Sequence, residues 1–107
     1  MVTLTRGDGP DGPRATLLRP DPSLPARGRH GVRGDPCRFL EVRPDRLEVR
    51  RVWWFTSGHM DTTEEELEGA WAPGDPAGLA HVERAFGPAV RAEVEALARP
   101  EGWAPPG

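Results

Sequence analysis

Three side chains near the middle of the chain have the types that a hydrolase uses. Ser57, His59 and Asp61 stand at alternate positions. In a catalytic triad the serine and the carboxylate bind opposite nitrogens of the imidazole, whereas alternate residues of an extended segment point the same way. The Gly-x-Ser-x-Gly sequence that presents a nucleophilic serine is also absent from the chain. We therefore interpret this segment as a polar loop that leads into a helix cap.

Two histidine–carboxylate pairs are candidate metal ligands. They are His59 with Asp61 and His81 with Glu83. Imidazole and carboxylate groups suit zinc or iron. Neither pair has a recognised ligand spacing, however, and residues two apart on a helix do not share a face. The sequence therefore predicts no metal site, and these four residues are weak candidates whose simpler role is on the surface.

A third feature combines arginine with tryptophan. Trp53 and Trp54 follow an arginine-rich run from Arg27 to Arg51, a mixture that proteins use to bind single-stranded nucleic acid. The net charge of −3 and the apolar neighbours of the two tryptophans argue against that function. Aromatic and arginine side chains are also favoured at protein-binding hot spots. We predict that Trp53, Trp54, Trp71 and Arg51 form a ligand or partner surface.

Two further motifs carry no predicted function. Arg-Gly-Asp occurs at residues 6–8 and 33–35, which is expected by chance in a chain so rich in these three residues. Cys37 is the one cysteine, so an internal disulfide framework is excluded. Because it begins an apolar run without a basic cluster beside it, Cys37 is predicted to be a small buried side chain.

Composition limits the class of protein. The chain has 107 residues, enough for one small domain, and 13 glycines and 13 prolines. Residues 1–51 carry a net charge of +4 and residues 52–107 a net charge of −7, so the two halves can pack against each other. Neither a signal-peptide pattern nor a membrane-length apolar segment occurs. We therefore expect a cytoplasmic protein that does not associate with membranes.

The segment from Cys37 to Ser57 predicts two β-strands, about 37–43 and 46–56, because apolar and charged residues alternate along it. Pairing Arg43 with Arg46 around a two-residue turn would place the aliphatic side chains on one face. It would also place Glu41 opposite Glu48, an unfavourable pair that the arginines on that face would offset. Pro44 does not fit the turn types that match hairpin twist, so direct pairing stays open.

The remaining segments complete a small α+β fold. Residues 1–36 are predicted to hold a possible short N-terminal hairpin, followed over 20–36 by an extended linker or mobile loop. Residues 37–103 form the domain, and 104–107 a frayed tail. Capping signals and apolar spacing predict helices at about 62–70, 76–86 and 88–99, which would cover the antiparallel β layer. The last two helices share the stripe Leu79, Val82, Phe86, Val90, Val94 and Leu97.

Residues 34–49, GDPCRFLEVRPDRLEV, resemble a segment of the FMN-binding split barrels of the pyridoxamine-phosphate-oxidase-like group. There a strand that ends in Arg-Pro leads through a short turn into a strand late in the barrel. The resemblance implies a degenerate or truncated relative with FMN as cofactor. The phosphate-gripping strands of that family have no counterpart in this sequence, so no flavin-contacting residue is assigned.

The sequence thus supports two hypotheses about function. The leading hypothesis is a non-catalytic interaction module without a cofactor, which binds an unknown protein partner or its own copy. The alternative is the flavin-binding relative, an enzyme or an enzyme remnant.

Overall fold

The computed structural model describes residues 3–58 and 60–104. Within these ranges the chain forms six strands and then two helices. The elements are β1 (Thr5–Gly9), β2 (Gly12–Pro20), β3 (Arg27–Arg29), β4 (Val32–Arg43), β5 (Arg46–Ser57), β6 (Met60–Trp71), α1 (Pro76–Phe86) and α2 (Pro88–Leu97). The fold is therefore the predicted small α+β domain, with an antiparallel sheet and C-terminal helices. None of the described helices is long and apolar enough to cross a membrane.

All strands join one antiparallel sheet in the order β1-β2-β4-β5-β6, and β3 pairs with the first residues of β4. The predicted N-terminal hairpin is present as β1 and β2. The central strands pair directly in the predicted register, with Arg43 opposite Arg46 and Glu41 opposite Glu48. A proline in the two-residue turn is thus compatible with pairing. Since the chain passes from strand to adjacent strand, each face is built from neighbouring segments.

The two helices pack on one face of the sheet. Asp75 caps α1 by accepting a hydrogen bond of 2.9 Å from the amide of Ala77, and Pro76 occupies the first helical position, as predicted. Pro88 begins α2. The predicted helical stripe is buried throughout, against the sheet residues Ala15, Leu40, Val42, Leu47 and Val49. Burying this stripe is the main stabilising contribution to the fold.

The prediction of a helix at 62–70 is wrong, because these residues lie in β6. This strand pairs with β5 along almost its whole length, from Ser57 opposite Met60 to Leu47 opposite Trp71. Helix propensities differ among ordinary residues by only tenths of a kcal/mol each, so tertiary pairing can override them. The glutamates that favour a helix form ion pairs with arginines of neighbouring segments instead.

The prediction of a linker or mobile loop at 20–36 is also wrong. Asp21 accepts hydrogen bonds from the amide and hydroxyl of Ser23, which makes a tight turn, and Leu24 is buried. The chain then forms β3 and enters β4. The carbonyl of Pro25 accepts a hydrogen bond of 2.8 Å from the indole of Trp53, which ties this proline-rich segment to β5.

Candidate functional site

Trp53 belongs to the interior and not to the surface. Its side chain is 1% exposed, and its indole nitrogen donates a hydrogen bond of 2.8 Å to the carbonyl of Pro25. The guanidinium of Arg27 lies 3.4 Å from the ring centroid, a cation–π contact that covers the remaining face. Trp53 therefore has almost no exposed surface that a partner could contact.

The other predicted surface residues are separated by the sheet. Trp54 points to the face opposite the helices and is 42% exposed. Trp71 lies beneath α1, where its ring is 5.1 Å from that of His81. Arg51 is also on the helix-bearing face, in an ion pair with Glu68. Of the three predicted tryptophans, Trp54 is thus the one with a largely exposed ring, while Arg51, although its side chain is 42% exposed, is bound to Glu68.

Glu68 is the centre of a charged network that the sequence did not reveal. Its carboxylate is 5% exposed and accepts hydrogen bonds from Arg51 at 2.5 Å, from Arg38 at 3.2 Å and from His81 at 2.6 Å. Arg38 bridges onward to Asp21. Burial raises the pKa of Glu68, but the donated hydrogen bonds more than offset it, so the pKa falls from 4.5 to about 2.

This network of ion pairs connects five segments of the chain. Arg38 and Arg51 come from adjacent central strands, Glu68 from β6, His81 from α1 and Asp21 from the β2–β3 turn. A register shift in the β5–β6 pairing beside Val49 and Arg50 leaves Glu68 without a directly opposite residue on β5. Its carboxylate reaches the helix-bearing face. Because the arginines are engaged with carboxylates, the network offers little positive charge to an external anion.

The weak metal candidates do not come together. His81 contacts Glu68, whereas Glu83 pairs with Arg91 on the helix surface. Asp61 lies near the far end of the β5–β6 hairpin, and His59 falls outside the described residues. Within residues 3–58 and 60–104, no three histidine, cysteine, aspartate or glutamate side chains are grouped so as to hold a metal ion.

The sheet face opposite the helices, here called the open face, carries a contiguous apolar patch. Leu18 lies opposite Phe39 and Cys37 opposite Val52, so these four side chains are neighbours across three strands. Trp54 extends the row on β5. Leu67 lies on β6 opposite Arg50. The apolar patch thus consists of Leu18, Cys37, Phe39, Val52, Trp54 and Leu67.

Three members of the apolar patch are prominently exposed: Leu18 at 47%, Trp54 at 42% and Leu67 at 52%. Phe39 and Cys37 are half-buried between them, and Val52 is buried at 5% exposure. Burial raises the pKa of the Cys37 thiol, and the charge of Asp35 adds to this effect. Within the described ranges both helices cover the opposite face, so no second layer shields the patch from water.

A pair of buried carboxylates borders the apolar patch. Glu41 and Glu48 lie opposite each other and are 7% and 5% exposed. Arg43 lies 2.8 Å from Glu41, while Arg46 and Arg50 lie 2.5 and 2.9 Å from Glu48. Burial raises the pKa of Glu48, but the hydrogen bonds from Arg50 and Arg46 lower it overall. The negative charges of these two glutamates, which the predicted register places opposite each other, are therefore balanced by arginines on the same face.

A groove of about 350 Å³ lies on the helix-bearing face near the free end of the β5–β6 hairpin. Phe55 forms its floor, and Arg29, Val32 and Met60 are among its walls. Phe55 is 3% exposed because its ring lies directly over Gly34, where a Cβ would come within 2.6 Å of it. The groove is open to solvent, and its lining mixes these side chains with the polar residues His30, Ser57 and Thr62.

Sequence reasoning missed Leu18, Phe39 and Leu67 as surface residues. Leu18 lies in a short apolar run and Phe39 in the predicted first central strand, where an apolar side chain is expected to be buried. Leu67 was assigned to a helix. The alternation of Leu40 and Val42 with Phe39 and Glu41 was the available signal, because it places Phe39 on the charged face of β4.

Residues 34–49, which carry the resemblance to split barrels, form most of β4, the turn and the start of β5. Such a hairpin occurs in many antiparallel sheets, so FMN binding stays a prediction. Comparison with protein families, with curated proteins and with solved structures finds no match for this chain.

Proposed function

We propose that this chain is a cytoplasmic, non-catalytic interaction module that binds a protein through the open face. The observation that carries the proposal is the apolar patch, because five of its six side chains, from four strands, keep exposed area around the buried Val52 on a face that no layer of the described chain covers. Contiguous exposed apolar surface rimmed by polar groups is characteristic of interaction sites.

The composition of the open face supports a protein partner. A large aromatic residue, Trp54, adjoins aliphatic groups, and arginines frame them, which is the composition of binding hot spots. A nucleic acid is less well matched. Arg43, Arg46 and Arg50 are bound to the buried carboxylates of Glu41 and Glu48, which reduces the charge available to phosphates.

The helix-bearing face supports the non-catalytic part of the proposal. Its prominent polar groups, Glu68, His81, Arg38 and Arg51, are satisfied by one another. A catalytic group needs access to a substrate, and the Glu68 carboxylate is 5% exposed. The network therefore fits a structural function better than a chemical one.

Site-specific photocrosslinking tests the proposal. Benzoylphenylalanine is placed at position 54 in living cells, and at position 60 as a matched control. Met60 is 66% exposed but lies on the helix-bearing face. We expect protein adducts from position 54 that disappear when Leu67→Glu is added, and none of them from position 60. Absence of adducts at 54, or equal adducts at both positions, would contradict the proposal.

The split-barrel relative is the alternative, and the hairpin at residues 34–49 is the observation in its favour. Titration of the purified protein with FMN, followed by flavin fluorescence, separates the two functions. Quenching with a defined stoichiometry would support the flavin-binding alternative. An unchanged flavin signal would exclude it.

A further inference from the structure

We infer that the partner of this chain contributes an extended, basic peptide segment, which adds to the sheet as a further strand antiparallel to β6. This inference rests on the proposed function and specifies the chemistry of the partner. It depends on two features of β6, which are an unpaired backbone edge and the acidic side chains beside it.

β6 is the last strand of the sheet, and its outer edge is open. Residues 61–67 form a regular ladder with β5, and apart from this ladder no backbone group of theirs has a hydrogen-bond partner among the described residues. Exposed strand edges are commonly protected by proline, lysine or a short length. β6 has 12 residues without proline or lysine, whereas the opposite edge strand, β1, has 5 residues. The long edge of β6 is thus suited to adding a strand from a partner.

The charge of β6 disfavours a second copy of the same strand at this edge. Met60–Trp71 carries five acidic residues and no basic residue. Like charges that face each other on neighbouring strands are destabilising, whereas opposite charges are stabilising. Two β6 strands would therefore repel each other, and the strand that fits this edge is basic.

Two of the acidic side chains have charge available for a partner. Asp61 and Glu65 point to the open face and are exposed. Among the described residues neither carboxylate forms an ion pair, whereas Glu64 and Glu66, on the other face of β6, are bound to Arg27. The demand for basic groups is therefore on the open face, at alternate positions of the strand.

The register of an added strand gives the expected sequence pattern. In an antiparallel pair, residues that lie opposite each other share a face, and every second residue returns to that face. A residue opposite Leu67 is therefore followed two positions later by one opposite Glu65, and six positions later by one opposite Asp61. We expect an apolar residue, followed by basic residues at the second and sixth positions after it. The apolar residue would extend the apolar patch beside Leu67, which is 52% exposed.

A synthetic peptide tests the inference on the full chain. The probe has eight residues and blocked ends, with leucine at its second position, arginine at its fourth and eighth positions, and threonine elsewhere. The control peptide has glutamate in place of arginine. We expect about 1 mM probe to slow amide hydrogen exchange, measured by NMR, at alternate residues of the segment 61–67, because the other amides already face β5. No new protection in this segment, or equal protection with the control peptide, would overturn the inference.

N-methylated probes test whether the backbone of the peptide is bound. The hydrogen bonds that a strand makes to one neighbour come from alternate residues. One probe is N-methylated at its third, fifth and seventh residues, and the other at its fourth, sixth and eighth residues. We expect one of the two to lose binding and the other to retain it. Equal effects of the two modifications would refute strand addition.

Glu65→Arg tests the charge of the edge, and Glu101→Arg is its matched control. Glu101 is exposed, and the next residue, Gly102, lies beside Leu4 and Arg6 at the opposite edge of the sheet. We expect Glu65→Arg to weaken binding of the probe by about tenfold and Glu101→Arg to change it by less than about twofold. Equal weakening by both variants would show attraction to net charge alone and would overturn the inference.

The outcomes are distinguishable from those of the proposed function. Photocrosslinking from position 54 tests the open face whether or not a strand adds to β6. Adducts at position 54 without peptide binding at β6 would sustain the interaction module and refute strand addition. Protection of β6 by the probe without adducts at position 54 would support strand addition and contradict docking on the open face.

Discussion

Replacing Glu68 by glutamine removes the charge at the centre of the buried network while keeping the size of the side chain. The carboxylate is 5% exposed and binds Arg38, Arg51 and His81. Glutamine has one acceptor oxygen, and its amide nitrogen would face arginine donors. We therefore expect Glu68→Gln to lower the free energy of unfolding at neutral pH.

The magnitude follows from the pKa of Glu68, which falls from 4.5 to about 2 in the folded protein. One pKa unit corresponds to about 1.36 kcal/mol, so the charged carboxylate contributes roughly 3 kcal/mol. A lowered folded-state pKa gives stability that is present above the unfolded pKa of 4.5. This stability is lost as the pH falls from 4.5 toward 2, since the proton then binds in both states.

Urea denaturation at several pH values, followed by circular dichroism, measures this effect. The difference in unfolding free energy between the wild type and Glu68→Gln should be about 3 kcal/mol near pH 7 and should shrink below about pH 4.5. Acidic groups outside this network, such as Glu48 with its lowered pKa, titrate in both proteins and so largely cancel in the difference.

Glu66→Gln is the matched control on the same strand. Its carboxylate lies 2.7 Å from Arg27 but is 47% exposed, so we expect a loss below about 1 kcal/mol. If Glu68→Gln changed stability no more than Glu66→Gln, or if its effect stayed constant down to about pH 2, the reasoning about the buried network would be refuted.

Three further substitutions test the packing. Trp53→Ala should lower unfolding free energy by about 3–5 kcal/mol in urea denaturation because the ring is buried, and a change below about 1 kcal/mol would contradict that position. Asp75→Ala should lower it by about 1 kcal/mol through loss of the α1 cap; an unchanged thermal midpoint would show that the cap contributes nothing. Gly69→Ala should destabilise the protein and alter its near-ultraviolet circular dichroism, because a Cβ there would overlap the Trp71 ring; unchanged spectra and stability would contradict this contact.

Local patterns in the sequence were sufficient for the central hairpin and the two C-terminal helices. Alternation of apolar and charged residues determined which side chains of β4 and β5 share a face, and the turn length then determined the register. The Asp75–Pro76 and Gly87–Pro88 signals act within a single helical turn, so they can be read without tertiary information. The buried helical stripe followed from its spacing.

The tertiary structure decided what depends on partners distant in sequence. Residues 62–70 include capping and helix-forming residues, yet they form a strand. In this strand their backbone pairs with β5, and the Glu68 carboxylate binds Arg51 of β5. Trp53 and Trp54 are adjacent and chemically alike, but strand alternation places one in the core and the other on the open face. Which face the helices cover depends on a buried cluster that joins residues about 40 apart in sequence, Leu40 and Val82 among them. That packing leaves the apolar patch uncovered, and no local pattern encodes it.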